Sequence, residues 1–173
     1  MLVAALSPAI LFDPRGRCSR KGLLVVSGLL LVVEVAVLLL WLATGASLQG
    51  PVAGIVNAAL LWSAVAATAK RLHDIGRSAW WMLGGMFAIM AWCFIVTTAM
   101  VLAFGAEALA PQGSGFAVAF GATCLLALAL LLWLHCQPGM PGANQYGPAP
   151  GLDGFAPPLA VAANGGDSLA TPA

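Results

Sequence analysis

Along this chain, long stretches of aliphatic and aromatic residues alternate with short polar or glycine-rich breaks. The apolar runs cover about residues 23–43, 51–69, 80–104 and 116–134. A helix needs roughly 20 consecutive apolar residues to cross the hydrocarbon core of a bilayer, so each run predicts one membrane span. Gly45, Gly50 and Pro51 make an uncharged turn between the first two. Pro51 suits a first helical position, where its missing N–H has no partner to lose. Residues 105–115 form the loop before the last run and contain Glu107, Pro111, Gly113 and Gly115. In the second run Ala59, Ser63 and Ala67 recur at every fourth position, and Gly84 and Ala88 continue the theme in the third. Such ridges of small side chains let helices approach closely in lipid. The expected fold class is all-α: a polytopic membrane protein with a four-helix transmembrane bundle over residues 23–136.

The polar breaks carry more information than the runs. Between the second and third spans lies Lys70-Arg71-Leu72-His73-Asp74-Ile75-Gly76-Arg77-Ser78-Ala79-Trp80-Trp81, the densest polar segment of the chain. It reads as a short charged turn. Gly76 is the natural exit from the second helix, because glycine takes a left-handed C′ conformation at little cost. Ser78 is placed to cap the third helix, and Trp80 and Trp81 suit headgroup depth. Asp74 can pair with Arg71 and Lys70 at i,i+3 and i,i+4, which favours an internally paired turn over an open anion cradle.

Residues 1–22 form an N-terminal segment with a basic motif. Its start, Met1 to Phe12, is apolar but interrupted by Pro8, too short to span, and lacks the basic n-region of a leader. It is expected to lie at the membrane interface. After the last span, residues 137–150 are rich in Pro and Gly, with Asn144 and Tyr146 as polar handles. This segment is expected to fold back onto the charged turn, with Asn144 or Tyr146 bonding the backbone or side chains of His73 and Asp74. Residues 151–173 are Ala-rich and weakly polar, and a disordered tail is expected there.

Composition supports the membrane reading. The chain is 61% hydrophobic and 8% charged, with mean hydropathy +0.97. Soluble domains carry about a quarter charged residues, so the solvent of this protein must be largely lipid. All 7 Lys and Arg fall in two clusters, Arg15 to Lys21 and Lys70 to Arg77. Four spans put both clusters and both termini on one side, and the positive-inside rule makes that side the cytoplasm. The opposite loops carry only Glu107. The 4 cysteines, Cys18, Cys93, Cys124 and Cys136, form no C-x-x-C pair, so neither a disulfide framework nor a zinc signature is read.

Three groups of residues could carry chemistry. Arg15, Arg17, Arg20, Lys70, Arg71 and Arg77 can hold topology and meet anionic lipid, each contributing on the order of 1 kcal/mol near such a surface. Alternatively they form a defined site for a phosphate headgroup or a partner's acidic segment, which arginine forks suit. His73 and Asp74 can serve as hydrogen-bonding members of the turn. A catalytic pair is the other reading, but no nucleophile stands beside them, since Ser114 falls on the opposite side. A metal site drawing on His73, Asp74, His135 and Cys18 or Cys136 has suitable ligand types but no ligand spacing. Glu34, near the middle of the first span, is the one ionisable residue deep in a run. It must be protonated, paired or wetted. Asn57 is its expected partner and Ser27 shares its face. A neutral Glu34–Asn57 bond that joins two helices and a transport pathway both remain open.

Three stretches resemble a known family. They are Gly16-Arg17-Cys18-Ser19-Arg20 before the first span, Arg71 through Trp81 in the turn, and Pro138-Gly139 through Asn144, Tyr146, Gly147, Pro148 and Pro150 after the last span. Together they are similar to domain-of-unknown-function family 805, small multi-span proteins of the bacterial inner membrane, over about residues 11–150. The chain departs from that pattern at Gly22 and Leu23, where an aromatic pair is usual, and at Ala79, where Gly is usual. The resemblance implies a bacterial plasma membrane and four helices, and it supplies no catalytic residues. The expected protein is non-enzymatic, with no cofactor, catalytic residue or bound metal. Its basic cytoplasmic face engages membrane lipid or a protein partner, and nucleic acid is not among the expected partners. The alternative is a small homo-oligomeric transporter or channel using Glu34.

Overall fold

The computed structural model describes residues 7–45, 50–111 and 113–158. A short helix α1 (Pro8–Phe12) and a two-residue strand β1 (Arg17–Cys18) lead into four long helices: α2 (Arg20–Thr44), α3 (Pro51–Asp74), α4 (Trp81–Phe104) and α5 (Ser114–Cys136). A 3-10 helix, Ala106–Leu109, lies in the last inter-helix loop, and strand β2 (Phe155–Ala156) ends the described chain. The long helices have 23 to 25 residues, or about 35 Å at 1.5 Å per residue. All four are long and apolar enough to cross a membrane. The fold is an all-α polytopic bundle.

The bundle is built as two pairs. Helix α2 packs with α3 and α4 with α5, and the pairs meet through α2–α5 and α3–α4 contacts. Large apolar side chains point outward along the helices, and α4 has no buried residue at all. The buried core gathers at one end instead, where Cys18, Leu23, Val26, Leu72, Leu134 and Phe155 pack together. Water could not solvate such a surface without large cost, so the outward faces belong in hydrocarbon.

Helix boundaries differ from the apolar runs for local reasons. Helix α2 starts three residues early because Ser19 caps it, its Oγ accepting from Gly22 N at 3.2 Å. Helix α3 continues through Lys70–Asp74, which the pattern assigned to a turn. Cations near a helix C-terminus and an Arg71–Asp74 pair at i,i+3 favour that continuation. It stops at Gly76 (φ +77°), where Gly76 N donates to His73 O and Arg77 N donates to Leu72 O at 2.8 Å. This is the two-bond Schellman ending. Ser78, by contrast, does not cap α4. The residues before that helix wind as turns, so Trp81 N donates to the Ser78 carbonyl and Met82 N to Ala79 O, and the hydroxyl is not needed.

The N-terminal segment is tied to α3. Lys70 Nζ donates to Ile10 O at 2.6 Å and Trp62 Nε1 donates to Phe12 O at 2.9 Å. Met1 to Leu6 lie outside the described residues.

The expected disordered tail requires correction at its start. Residues 151–158 fold back, and β2 pairs antiparallel with β1, Arg17 opposite Ala156 and Cys18 opposite Phe155. Ser19 N donates to Gly154 O at 2.8 Å. The cause is Phe155, a large apolar residue in a weakly polar stretch, which buries itself against Cys18. Residues 159–173 lie outside the described residues. Ending the chain at Pro150 is expected to destabilise the fold by about 1.5–3 kcal/mol, the worth of one buried aromatic. Thermal unfolding in detergent measures this; an unchanged melting temperature would show that β2 contributes nothing.

Candidate functional site

Three stretches far apart in sequence meet at the core end of the bundle, and their centre is the Asp74 carboxylate. Helix α3 presents Asp74 in its last turn, three residues after Arg71, so both side chains leave the helix on one face. Asp74 Oδ1 accepts from Arg17 Nε at 3.2 Å and from Arg17 Nη2 at 2.9 Å, and Asp74 Oδ2 accepts from Arg71 Nη1. All three side chains are buried: Arg17 and Arg71 are 0% exposed and Asp74 3%. An unpaired charge in such a place would be costly, so the remaining donors must find acceptors.

They find them on the backbone of the segment after α5. Arg17 Nη2 donates to Met140 O at 2.6 Å, and its Nη1 donates to Gly142 O and Gly147 O. A guanidinium has five N–H groups, and Arg17 thus makes five hydrogen bonds. Arg71 Nε donates to Leu134 O at 3.0 Å, and its nitrogens also reach Gln137 O and Cys18 O. Leu134 and Gln137 are carbonyls at the end of α5, so Arg71 on one helix caps another. Met140 N returns a bond to Asp74 O at 2.8 Å. Gly139 permits this approach, because a Cβ there would collide with the Asp74 carboxylate. Among the described residues no buried side-chain nitrogen or oxygen lacks a partner.

The Pro/Gly-rich segment docks as its polar handles suggested. Asn144 Nδ2 donates to His73 O at 2.9 Å, and the Tyr146 ring stacks on His73 with centroids 4.0 Å apart and planes 7° from parallel. Asn144 Oδ1 also accepts from Tyr146 N, which fixes the ring for stacking. His73 Nδ1 donates to Gly16 O at 3.1 Å. His73 and Asp74 therefore tie the first motif to the last.

The six basic candidates divide. Arg17 and Arg71 are sealed in the knot and Lys70 is 4% exposed. These three side chains lie inside the fold and not on an open surface: Arg17 has all five N–H groups bonded, Arg71 makes four hydrogen bonds, and Lys70 donates to Ile10 O. Arg15, Arg20 and Arg77 stay exposed, as does Lys21. The Arg77 guanidinium lies 4.2 Å above the Trp81 ring, a cation–π contact. Trp80 and Trp81 are also exposed.

The expected Glu34–Asn57 bond is absent. Both residues are exposed and no side-chain hydrogen bond joins them. Glu34 is ten residues from the Thr44 end of α2, whereas Asn57 is six from the Pro51 end of α3. That is an axial offset of about 6 Å. The candidate metal ligands are not assembled either. Asp74 and His73 are held within the knot, His135 Nδ1 donates to Leu131 O within its own helix, and no cluster of three or more His, Cys, Asp or Glu occurs among the described residues.

Cys18 sits beside the knot at 0% exposure. Burial pushes its thiol up to about 12, against the opposing pull of the Arg71 charge. At pH 8 roughly one such thiol in 10⁴ is ionised, and the thiolate is the reactive form. Cys18 is therefore expected to resist maleimide in the folded protein and to react once unfolded in detergent, while exposed Cys136 reacts in both states. Peptide mapping by mass spectrometry reads this out. Rapid labelling of Cys18 in the folded state would contradict the burial.

A family model described as "Protein of unknown function (DUF805)" matches residues 11–148. That span contains every residue of the knot and stops short of β2. The chain is 31% identical over 138 residues to "Uncharacterized protein YiiR" of Escherichia coli strain K12, covering 79% of this chain and 85% of that protein. The O157:H7 strain has a relative of the same name with the same identity and coverage. No solved structure gives a significant match.

Proposed function

The chain belongs to the DUF805 family, and on that footing we propose that it is a non-enzymatic protein of the bacterial inner membrane whose exposed basic residues engage anionic lipid. Both termini, the knot and all the basic residues face the cytoplasm in this reading, as the positive-inside rule requires. The observation that carries it is the division of the basic residues. Arg17, Lys70 and Arg71 are buried, while Arg15, Arg20, Lys21 and Arg77 stay exposed at the same end of the bundle. The knot serves as a clasp that sets the helix ends, and the outer ring of charge does the binding.

The test is reconstitution with equal parts of phosphatidylglycerol and phosphatidylethanolamine, followed by native mass spectrometry. The fourfold variant Arg15→Gln, Arg20→Gln, Lys21→Gln, Arg77→Gln is expected to fold, since none of these side chains bonds the Asp74 centre and Arg20 alone touches the helix ends, through one 3.5 Å bond to Cys136 O. It should lose the wild type's preference for the anionic lipid. Equal lipid profiles in the two proteins would refute the reading. A protein companion lost in place of lipid would turn the same surface toward a partner.

A second reading rests on Glu34, an exposed carboxyl midway along an apolar helix. Ionisable groups in spans mark transport routes by default, and a bundle of four helices would need further copies of the chain to enclose one. Loss of ion or solute flux in liposomes on Glu34→Gln would favour this reading.

A further inference from the structure

The membrane-facing part of the bundle has one feature that the knot does not use: an open apolar groove of about 740 Å³ between α3, α4 and α5, at the knot end. Resting on the lipid reading above, we propose that this groove holds one acyl chain of an anionic phospholipid, with its phosphate on Arg77.

The dimensions match a lipid tail. The α4 side of the groove runs from Trp81 to Met90, nine steps along a helix, or about 14 Å. Half of a ~30 Å hydrocarbon core is about 15 Å. The groove therefore covers the depth of a single leaflet and ends near mid-membrane. A partner's helix would follow the whole of a span, about 35 Å, and would outrun it. A methylene is about as large as the ~30 Å³ share of one water. A sixteen-carbon chain thus takes up about 500 Å³, which leaves room for the start of a second.

The lining matches as well. Thr68 is the only hydroxyl among the lining residues, which are otherwise aliphatic, thioether, indole or glycine. Met82, Met86 and Met90 repeat at every fourth position along α4, and flexible thioethers adapt to chains of different shape. Gly84 and Gly85 leave the wall open, for a Cβ at either would meet nothing within 4 Å.

The headgroup position follows from Trp81, which lines the groove and also carries Arg77 on its ring at 4.2 Å. The aromatic face carries the guanidinium, and Arg77 is an exposed residue. A guanidinium edge matches a phosphate bidentately. An acyl chain entering beside Trp81 carries its phosphate to that edge.

The glycines give a direct test. Gly84→Leu with Gly85→Leu fills the groove, and leucine is the better helix former, so folding should be retained. After reconstitution in mixed phosphatidylglycerol and phosphatidylethanolamine, wild type is expected to retain one phosphatidylglycerol that the filled variant loses. Arg77→Gln should keep a lipid but lose the choice of phosphatidylglycerol. Retention of phosphatidylglycerol by the filled variant overturns the groove assignment. If the fourfold charge variant loses that lipid in the same experiment, the broader reading survives the failure. Unchanged choice of lipid in Arg77→Gln overturns the headgroup position. Should the filled variant fail to fold, a phosphatidylglycerol with a photoreactive tail decides the matter on wild type. Crosslinks within residues 81–90 support the proposal, and crosslinks spread evenly over α2 overturn it.

Discussion

Asp74→Asn is expected to destabilise the folded protein by about 3–5 kcal/mol, the usual consequence of stripping a buried ion pair of one partner. The substitution hardly changes shape. It removes the one negative charge facing two fully buried guanidiniums and puts an NH2 group where one of them needs an acceptor. A domain is stable by only about 5–15 kcal/mol, so the variant should appear as a large fall in melting temperature and in yield of monodisperse protein. Arg71→Met tests the same centre from the other side, leaving carbonyls at the end of α5 without their donor. The double variant Asp74→Asn, Arg71→Met should be less harmed than the sum of the two, because the second substitution removes one of the two guanidiniums that the first leaves without a counter-charge. Melting temperatures near wild type for Asp74→Asn would mean that the knot is ornamental.

Gly16→Ala should rank second. Gly16 has φ +87°, a left-handed conformation that costs an L residue roughly 1–2 kcal/mol. An added Cβ would also collide with the Ala156 carbonyl oxygen, and such overpacking adds about 1–3 kcal/mol. Relief by backbone movement is blocked on the other side, where the Gly16 carbonyl accepts from His73 Nδ1. The expected result is release of the C-terminal segment, read as new protease cleavage between residues 137 and 158 together with a lower melting temperature. A resistant, wild-type-like variant would refute this account of the motif's first glycine.

Sequence showed some of this and hid the rest, for physical reasons. The four spans were legible because lipid demands a composition that nothing else in the chain shares. Gly76, the Arg71–Asp74 pair and the docking of Asn144 and Tyr146 were legible because each depends on local geometry or on side-chain handles in an otherwise stiff segment. The partnership of Arg17 with Asp74 was not, since it spans 57 positions. Most acceptors for the two arginines are backbone carbonyls, at Leu134, Gln137, Met140, Gly142 and Gly147. A carbonyl leaves no trace in the residue letters, so the arginines read as surface charge. Phe155 was overlooked because a weakly polar average concealed one aromatic.

The reach of Arg17 also constrains how the protein is made. Its carbonyl partners Met140, Gly142 and Gly147 lie 123 to 130 residues downstream. At a synthesis rate of about 5–20 residues per second, the ribosome delivers them roughly 6–25 s after Arg17 has emerged. During that interval Asp74, only 57 positions downstream of Arg17, is already available to it, while these carbonyls are not. The carbonyl half of the clasp can close only after all four long helices have been synthesised, so making the helices and locking their ends are separate steps.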